Sequence, residues 1–313
     1  MPCCPACCPH PASGQQRHAV RQVGPDTESP TLNKTASKIS LPTRTISLGQ
    51  PLAWLSRGYQ DLARIGWLSL AHGLALAAFG AVILAVGHDG FWLLAGAISG
   101  FLVVAPVLAT SLYALSRALE RGEPPSVGVV TRTWLNWQAN HFGKWDRNYW
   151  RMVQFGCMLG IAATGWVLTS AALITLLAPA PIQTPMDFLH HVVLAREGWL
   201  FELWLALGGV LAAPIFASSV VTMPLLLDRR ITLRQAVLTS WQTVLANPIA
   251  MGVWATVIAG LTVLGLCTFL LGLIPLIPLL GHASWHAYRD LVDTTDTPSQ
   301  EPANGPLTGG ATR

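Results

Sequence analysis

Residues 199–230 read WLFELWLALGGVLAAPIFASSVVTMPLLLDRR. Between Trp199 and Leu227 the only charged side chain is Glu202, close to the start of the segment. A helix that crosses the hydrocarbon core of a bilayer needs about 20 apolar residues. The segment therefore predicts a membrane-spanning helix. The basic pair at its end, Arg229 and Arg230, predicts that this end faces the side of the membrane where Lys and Arg collect.

Five further stretches have the same apolar character. The chain is 52% hydrophobic and 11% charged, whereas about a quarter of a soluble protein is charged. The sequence therefore predicts an all-α polytopic membrane helical bundle of six transmembrane helices arranged as three hairpins. We expect the last two helices to be separated by a turn at Gly272, because Pro275 and Pro278 interrupt helical hydrogen bonding. The predicted spans are 65–86, 91–116, 152–178, 199–227, 249–271 and 273–288.

Basic residues are concentrated on one side of this predicted bundle. They occur before the first span, between spans two and three, between spans four and five, and after the sixth span at Arg289. The connections on the other side hold a single basic residue, Arg196. Because cytoplasmic loops are enriched in Lys and Arg, both chain ends are predicted to be cytoplasmic, in an inner or plasma membrane.

The chain divides into a membrane domain and two polar tails. Residues 1–46 are rich in Pro, Ser and Thr and are predicted to be a disordered N-terminal tail, and residues 292–313 a disordered C-terminal tail. The N-terminal tail has no apolar stretch typical of a cleaved signal peptide, so we expect the first span to act as an uncleaved anchor. The membrane domain, 47–291, opens with an amphipathic segment, 47–64, which predicts a helix lying at the membrane interface.

Recurring motifs predict an internal repeat. The pattern Ala-Pro-x-x-Ala-x-Ser occurs at 105–111 and at 213–219, and an acidic–basic pair follows each at the same offset, as Glu120-Arg121 and Asp228-Arg229. Chance similarity within apolar sequence is the alternative. A repeat implies three units, each an interfacial helix followed by a membrane hairpin. The units are 47–122, 126–230 and 232–291.

Small residues one turn apart form ridges on five of the predicted spans. Such ridges let helix backbones approach closely in lipid. Because all five helices have one, we expect the ridges to pack inside the bundle, with a dimer interface as the alternative. The ridges are Gly73-Ala77-Ala81-Ala85, Gly96-Gly100, Gly156-Gly160, Gly209-Ala213-Ala217 and Gly252-Thr256-Gly260.

Three histidines are the candidate binding residues. The predicted spans contain no Asp, Lys or Arg, which argues against a proton-coupled pump. His72 lies in the first span, and His282 and His286 share one face of the sixth because they are four residues apart. This pattern allows a metal ion at His282 and His286, or a haem that uses one of them or His72. The alternative is that they hydrogen bond to backbone or water at the cytoplasmic end.

Other residue groups give weaker signals. The tail cysteines Cys3, Cys4, Cys7 and Cys8 include one CxxC spacing; zinc and iron–sulfur sites need more ligands, so we interpret them as thiols, with transient metal binding as the alternative. Trp and basic residues interleave between 134 and 151, which is typical of an aromatic belt at a membrane surface, and no nucleic-acid partner is predicted. No GxSxG, P-loop or GxGxxG motif occurs, so no catalytic residue is predicted.

Four stretches resemble a family of bacterial membrane proteins. They are SLGQPLAWLSRGYQDL at 47–62, APVLATSLYALSRALERGE at 105–123, VTMPLLLDRRITLRQAVLTSWQTVLANP at 221–248 and IPLIPLLGHASWHAYRDL at 274–291. From about Leu48 to Leu291 the chain resembles domain-of-unknown-function family 2189, whose members are described as predicted integral membrane proteins. The resemblance implies a location in the bacterial inner membrane. Some members have been labelled putative cytochrome c oxidase subunits, which implies an accessory role at most, because this chain lacks the histidine array of a catalytic oxidase subunit.

Three functional hypotheses follow from the sequence. The first is a non-enzymatic structural or accessory membrane component, surrounded by lipid, with other membrane subunits as possible partners and a respiratory oxidase among them. The second is a haem- or metal-binding membrane protein that uses His72, His282 and His286. The third is permeation of a lipid or small apolar molecule past Pro106, Pro214 and Pro278, since proline frees backbone carbonyl groups within a bundle.

Overall fold

The computed structural model describes residues 40–87, 91–139, 147–195 and 199–297. Within these ranges the chain is helical, apart from turns, loops and an isolated antiparallel bridge between Thr43 and Val292. A short π-helical turn, Leu189–Val193, follows α7. The α-helices are α1 Gln50–Ile65, α2 Trp67–Gly87, α3 Phe91–Leu108, α4 Thr110–Glu120, α5 Val127–Ala139, α6 Arg147–Leu177, α7 Pro185–Phe188, α8 Leu200–Ser219, α9 Thr222–Asp228, α10 Leu233–Ala246, α11 Pro248–Cys267 and α12 Leu273–Leu291.

Several of these helices are long and apolar enough to cross a membrane. Within the described ranges they are Trp67–Ala85, Trp150–Leu177, Leu200–Asp228 and Pro248–Cys267, and α3 contributes a shorter apolar stretch, Trp92–Phe101. The all-α membrane character predicted from the sequence is therefore confirmed. The second predicted span, 91–116, is interrupted at Ala109 between α3 and α4.

Helix boundaries follow from local chemistry. Gly66 separates α1 from α2 with a φ of 68°, a left-handed conformation that glycine adopts without a steric penalty. At the start of α10, Thr232 accepts a hydrogen bond from the backbone N–H of Gln235, and the Gln235 side chain accepts one from the backbone N–H of Thr232. This reciprocal capping box fixes where the helix begins.

The long apolar run 249–288 is divided by a turn at residues 268–272. Phe269 and Leu270 adopt left-handed backbone angles there, with φ values of 53° and 69°. Thr268 Oγ1 accepts a hydrogen bond from the N–H of Gly272 at 2.9 Å, which helps to close the turn. The turn therefore precedes Pro275 and Pro278, and both prolines lie within α12.

Helix α12 is the central element, and it packs against α1, α2, α4, α9 and α11. Glycines make these approaches close. A Cβ atom at Gly58 of α1 would lie 2.7 Å from the backbone nitrogen of Ala283, and one at Gly281 would lie 2.7 Å from the Leu112 side chain of α4. Because the backbones are this close, the polar side chains of α12 come within hydrogen-bonding reach of four neighbouring helices, α1, α2, α4 and α9.

The main core lies where the apolar helices meet the basic end of the molecule. It contains large aromatic side chains that are almost completely buried, including Trp54, Trp254, Trp285 and Tyr288. The Trp54 and Trp254 rings meet edge to face with centroids 5.4 Å apart, a preferred aromatic geometry. The core thus joins α1, α11 and α12 in one packed unit.

Away from this core, apolar side chains point outward. Ile161 and Leu176 of α6 are 73% and 80% exposed, which is the pattern expected of a lipid-facing surface. The small-residue ridges were expected to pack internally. The ridge at Gly73 does so, but built Cβ atoms at several other ridge glycines meet nothing within 4 Å, so internal packing was the wrong prediction at these positions: Gly100, Gly160, Gly209, Gly252 and Gly260.

Parts of both sequence-defined tails lie on the folded domain. The backbone N–H of Ile46 donates to Asn247 Oδ1 at 2.8 Å, and the N–H of Arg44 donates to the carbonyl of Leu291 at 2.8 Å. Asp293 returns a hydrogen bond to the carbonyl of Pro42 at 2.9 Å. Residues 40–46 and 292–297 are thus joined to each other and to the helical domain by backbone hydrogen bonds. The rest of the tails, including Cys3, Cys4, Cys7 and Cys8, lies outside the described residues.

Candidate functional site

A buried polar network joins four helices at the basic end of the molecule. Its members are Asp61 on α1, Ser69 on α2, Ser116 on α4, and His282 and His286 on α12. We call these five residues the relay cluster. It contains two of the three histidines singled out from the sequence, together with partners that the sequence did not indicate.

His282 is the centre of the relay cluster. Its side chain is completely buried. Its Nε2 atom lies 2.8 Å from Ser69 Oγ, and its Nδ1 atom lies 2.8 Å from Ser116 Oγ. Both ring nitrogens therefore have a hydroxyl partner.

The proton positions follow from the acceptor at the end of the chain. Ser116 Oγ donates to Asp61 Oδ2 at 2.7 Å, so its single proton is committed to the carboxylate. Ser116 must then accept from an Nδ1–H of His282, which leaves Nε2 to accept from the Ser69 hydroxyl. The direction of donation is Ser69 to His282, His282 to Ser116, and Ser116 to Asp61.

Asp61 receives a second hydrogen bond, from His286. His286 Nε2 lies 2.9 Å from Asp61 Oδ2. Burial raises the pKa of Asp61, but the hydrogen bonds from His286 and Ser116 and the electrostatic attraction of His286 outweigh it, so the pKa lies below its ordinary value. Asp61 is therefore an ionised acceptor at neutral pH.

The third predicted histidine, His72, lies one turn after Ser69 on α2. It is half-buried, and its Nδ1 atom lies 2.7 Å from the carbonyl of Leu68 in the same helix. The fold therefore brings His72 close to the relay cluster without including it in the hydrogen-bonded chain.

The geometry bears on metal and haem binding. A metal ion needs a free nitrogen lone pair on histidine, and both ring nitrogens of His282 are engaged with serines. A metal ion could bind His282 only if one of these hydrogen bonds were broken. In His286, Nε2 bonds to Asp61, and Nδ1 takes no part in the relay chain. Among the described residues, no group of three or more His, Cys, Asp and Glu side chains is arranged to hold a metal ion.

A second polar cluster lies around Asp228, at the end of α9. Asp228 is 3% exposed. Its Oδ2 atom accepts from the Tyr288 hydroxyl at 2.8 Å and from Arg229 Nε at 3.0 Å. Three further guanidinium groups approach within 4.0 Å of the carboxylate: Arg117, Arg121 and Arg289. We call these residues, with Glu120, the arginine cluster; Glu120 Oε1 accepts from Arg289 Nε at 2.9 Å.

A third acidic group, Asp290, ties α12 to α1. It accepts hydrogen bonds from Gln50 Nε2 at 2.7 Å and Trp54 Nε1 at 2.8 Å, and it forms an ion pair with Arg57. Burial raises the pKa of Asp290, but the hydrogen bonds from Arg57, Gln50 and Trp54 outweigh it and the pKa is lowered. Asp290 thus fixes the amphipathic helix on the central one.

These clusters could be predicted only in part from the sequence. The spacing of His282 and His286 placed them on one helix face, and the offset between Glu120-Arg121 and Asp228-Arg229 connected two stretches that meet in the arginine cluster. Nothing in the sequence pointed to Asp61, Ser69 or Ser116, since short polar residues at helix ends are common. Their role depends on contacts between distant segments.

Cavities lie at the other end of α6, away from both clusters. The larger has a volume of about 710 Å³ and is lined mainly by apolar side chains, with Trp92, Ile174 and Ile182 among them. A smaller one, of about 210 Å³, includes His191 from the π-helical turn that follows α7.

The two cysteines in the apolar helices, Cys157 and Cys267, are free thiols with exposed side chains.

Together, the apolar helices, the outward-facing apolar side chains and the polar layer at one end define an integral membrane protein. Residues 93–228 match the family described as predicted integral membrane protein (DUF2189). The resemblance found in the sequence is therefore confirmed over that stretch. No curated protein and no solved structure matches the chain.

Proposed function

We propose that this protein is a non-enzymatic membrane component with a structural or accessory role, and that it acts through a rigid polar layer at one end of a helical bundle. The observation that carries the proposal is the internal pairing of the buried acidic groups. Asp61, Asp228 and Asp290 all accept hydrogen bonds or ion pairs from neighbouring helices. Carboxylates that are paired in this way hold helices together and have little capacity for acid–base chemistry.

The topology proposed with this role has six spans in three hairpins, in a bacterial inner membrane, with both ends cytoplasmic. Support comes from the arginines, which gather at one end: Arg117, Arg121, Arg229 and Arg289 surround a single carboxylate. A cytoplasmic position for that end follows from the positive-inside rule. Cysteine accessibility on intact cells at residues 44 and 191 tests the topology, because these residues are proposed to lie on opposite sides.

The three-unit repeat, 47–122, 126–230 and 232–291, is part of the same proposal. Residues at matching positions of the units meet in the arginine cluster, where Arg121 lies 3.9 Å from Asp228 and Arg289 pairs with Glu120. This convergence is expected if similar units pack around a common axis.

An accessory role requires a partner, and the partner proposed is another membrane subunit, with a respiratory oxidase as the specific candidate. The apolar surface of α6 is available to a neighbouring helix as well as to lipid. The test is purification from native membranes in mild detergent after chemical cross-linking, followed by mass spectrometry. A membrane protein recovered in stoichiometric amount supports the proposal, and oxidase subunits would identify the complex. Recovery of the chain alone, under conditions where known complexes survive, would contradict it.

Haem or metal binding is the second candidate function, favoured by the closeness of His72 to the relay cluster containing His282 and His286. A reduced-minus-oxidised visible spectrum and metal analysis of the purified protein decide it. A sharp α-band, or bound metal, that is lost in His282→Ala, His286→Ala or His72→Ala would establish the function. A featureless spectrum and the absence of bound metal would contradict this function.

Permeation past Pro106, Pro214 and Pro278 is a third candidate function, to be tested by a transport assay on the variant in which all three prolines are replaced.

A further inference from the structure

Two members of the arginine cluster, Arg121 and Arg289, have N–H donors that no residue in the described part of the chain accepts from. Arg121 Nη2 lies 3.9 Å from Asp228 Oδ1, which is beyond the range of a hydrogen bond. Arg121 makes no side-chain hydrogen bond to any residue in the described part of the chain. A guanidinium group has five N–H donors, so the N–H groups of Arg121 are available to bind a ligand.

Asp228 cannot satisfy these donors. Its Oδ2 atom is already hydrogen bonded by Tyr288 and Arg229. Arg289 uses Nε on Glu120, and its Nη1 atom stays 4.0 Å from Asp228. Arg121 and Arg289 therefore flank one carboxylate with guanidinium groups that have donors to spare, and each side chain is about one third exposed, at 35% and 34%.

The position of these donors indicates the ligand. Asp228 is the last residue of the candidate span Leu200–Asp228, so the two guanidinium groups lie where the hydrocarbon core gives way to lipid headgroups. The planar fork of arginine matches the oxygens of a phosphate group, to which it forms paired, charge-assisted hydrogen bonds. Basic pockets between membrane helices are known binding places for anionic headgroups.

We propose that Arg121 and Arg289 form a binding site for the phosphate group of an anionic phospholipid. The carbonyl ends of α4 and α9 also lie here and add partial negative charge. These carbonyl groups attract the arginine side chains and help to hold them in position. Because their partial negative charge does not itself attract an anion, binding of the phosphate must depend on hydrogen bonds from the guanidinium groups. The site is independent of the partner proposed above.

The test is native mass spectrometry of the full chain in non-ionic detergent, titrated with phosphatidylglycerol. Phosphatidylcholine, which has the same phosphodiester but no net charge, is titrated in parallel. Arg121→Gln is expected to lower the affinity for phosphatidylglycerol about tenfold, the loss of one charge-assisted interaction. The matched control is Arg132→Gln, which removes an exposed arginine of α5 and is expected to change the affinity less than about twofold.

Several results would overturn the proposal. Equal affinity for the two lipids, no effect of Arg121→Gln, or an equal effect of both substitutions would each do so. Displacement of phosphatidylglycerol by inorganic phosphate at a comparable concentration would reassign the site to free phosphate. Thermal melting checks that each variant is folded. If Arg121→Gln is not, Arg121→Lys, which keeps the charge without the fork, is expected to reduce the affinity by a smaller factor, and an unchanged affinity would count against the site.

Discussion

Gly73 of α2 lies directly against the backbone of Ile274 in α12: a Cβ atom at Gly73 would be 1.9 Å from the Ile274 carbonyl oxygen. The obstacle is a backbone group, so no change of side-chain rotamer relieves it. Membrane helices associate through such close approaches, because lipid provides no hydrophobic force between them. This contact therefore sets the distance between α2 and the central helix.

Gly73→Ala is expected to separate α2 from α12 and to destabilise the protein by about 3 kcal/mol, in the range of strong overpacking. The measurement is the thermal unfolding midpoint in detergent. Gly260→Ala in α11 is the matched control, because a Cβ atom there meets nothing within 4 Å. Equal midpoints for the two variants would show that the α2–α12 contact is not as close as described.

Ser116→Ala removes the link between Asp61 and His282. It removes the hydroxyl that accepts from the buried Nδ1–H of His282 and takes one donor from the Asp61 carboxylate. Burying an unsatisfied polar group costs about 1–3 kcal/mol, and we expect a loss of stability in that range by chemical denaturation. Thr169→Ala is the control, since Thr169 Oγ1 donates only to the carbonyl of Gly165 in its own helix. A similar loss in both variants would argue against the relay cluster.

Asp228→Asn is expected to destabilise the basic end of the molecule by about 3 kcal/mol, because removing one partner of a buried ion pair leaves uncompensated charge. The carboxylate is almost completely buried among arginines. Protease susceptibility of the loop between α9 and α10, together with the melting midpoint, reports the effect. Glu123→Gln, at an exposed residue, is the control and is expected to behave like the parent protein.

Stability is expected to fall in acid. The pKa values of Asp61 and Asp290 are lower in the folded protein than the ordinary value of 3.8. Their stabilising contribution is therefore complete above about pH 4 and is lost as the pH falls through the folded values. Melting midpoints measured between about pH 7 and about pH 3 test this expectation.

The double variant Asp61→Asn plus Asp290→Asn should show a smaller decrease between neutral and acid pH than the parent protein. Asp296→Asn, at an exposed residue, provides the comparison and should keep the full decrease. An acid decrease of the same size in the double variant would mean that other groups are responsible.

The membrane character and the basic end could be predicted from the sequence because both are properties of single segments. An apolar stretch such as 199–227 needs only its own composition to be recognised, and a basic pair such as Arg229-Arg230 needs only its place in the loop. The shared helix face of His282 and His286 follows equally from local geometry.

The partners of those residues could not be predicted in the same way. Asp61 meets Ser116 and His286 only because α1, α4 and α12 pack together. The prediction that the small-residue ridges pack inside the bundle was wrong at several positions for a related reason. A ridge shows that a close approach is possible, but not which surface it faces, and Gly252 and Gly260 face outward where Gly73 faces α12.

The bridge between Thr43 and Val292 places the entry and exit of the membrane domain side by side. A fluorescent protein joined to the chain just before Pro42 or just after Asp293 would therefore start from the same point on the surface, and a single measurement of which side of the membrane it faces would apply to both fusions. If the chain is shortened to these bridged residues, a short linker can join Thr43 to Val292, and a circularly permuted gene opened at the exposed turn around Phe269 should still encode the same bundle.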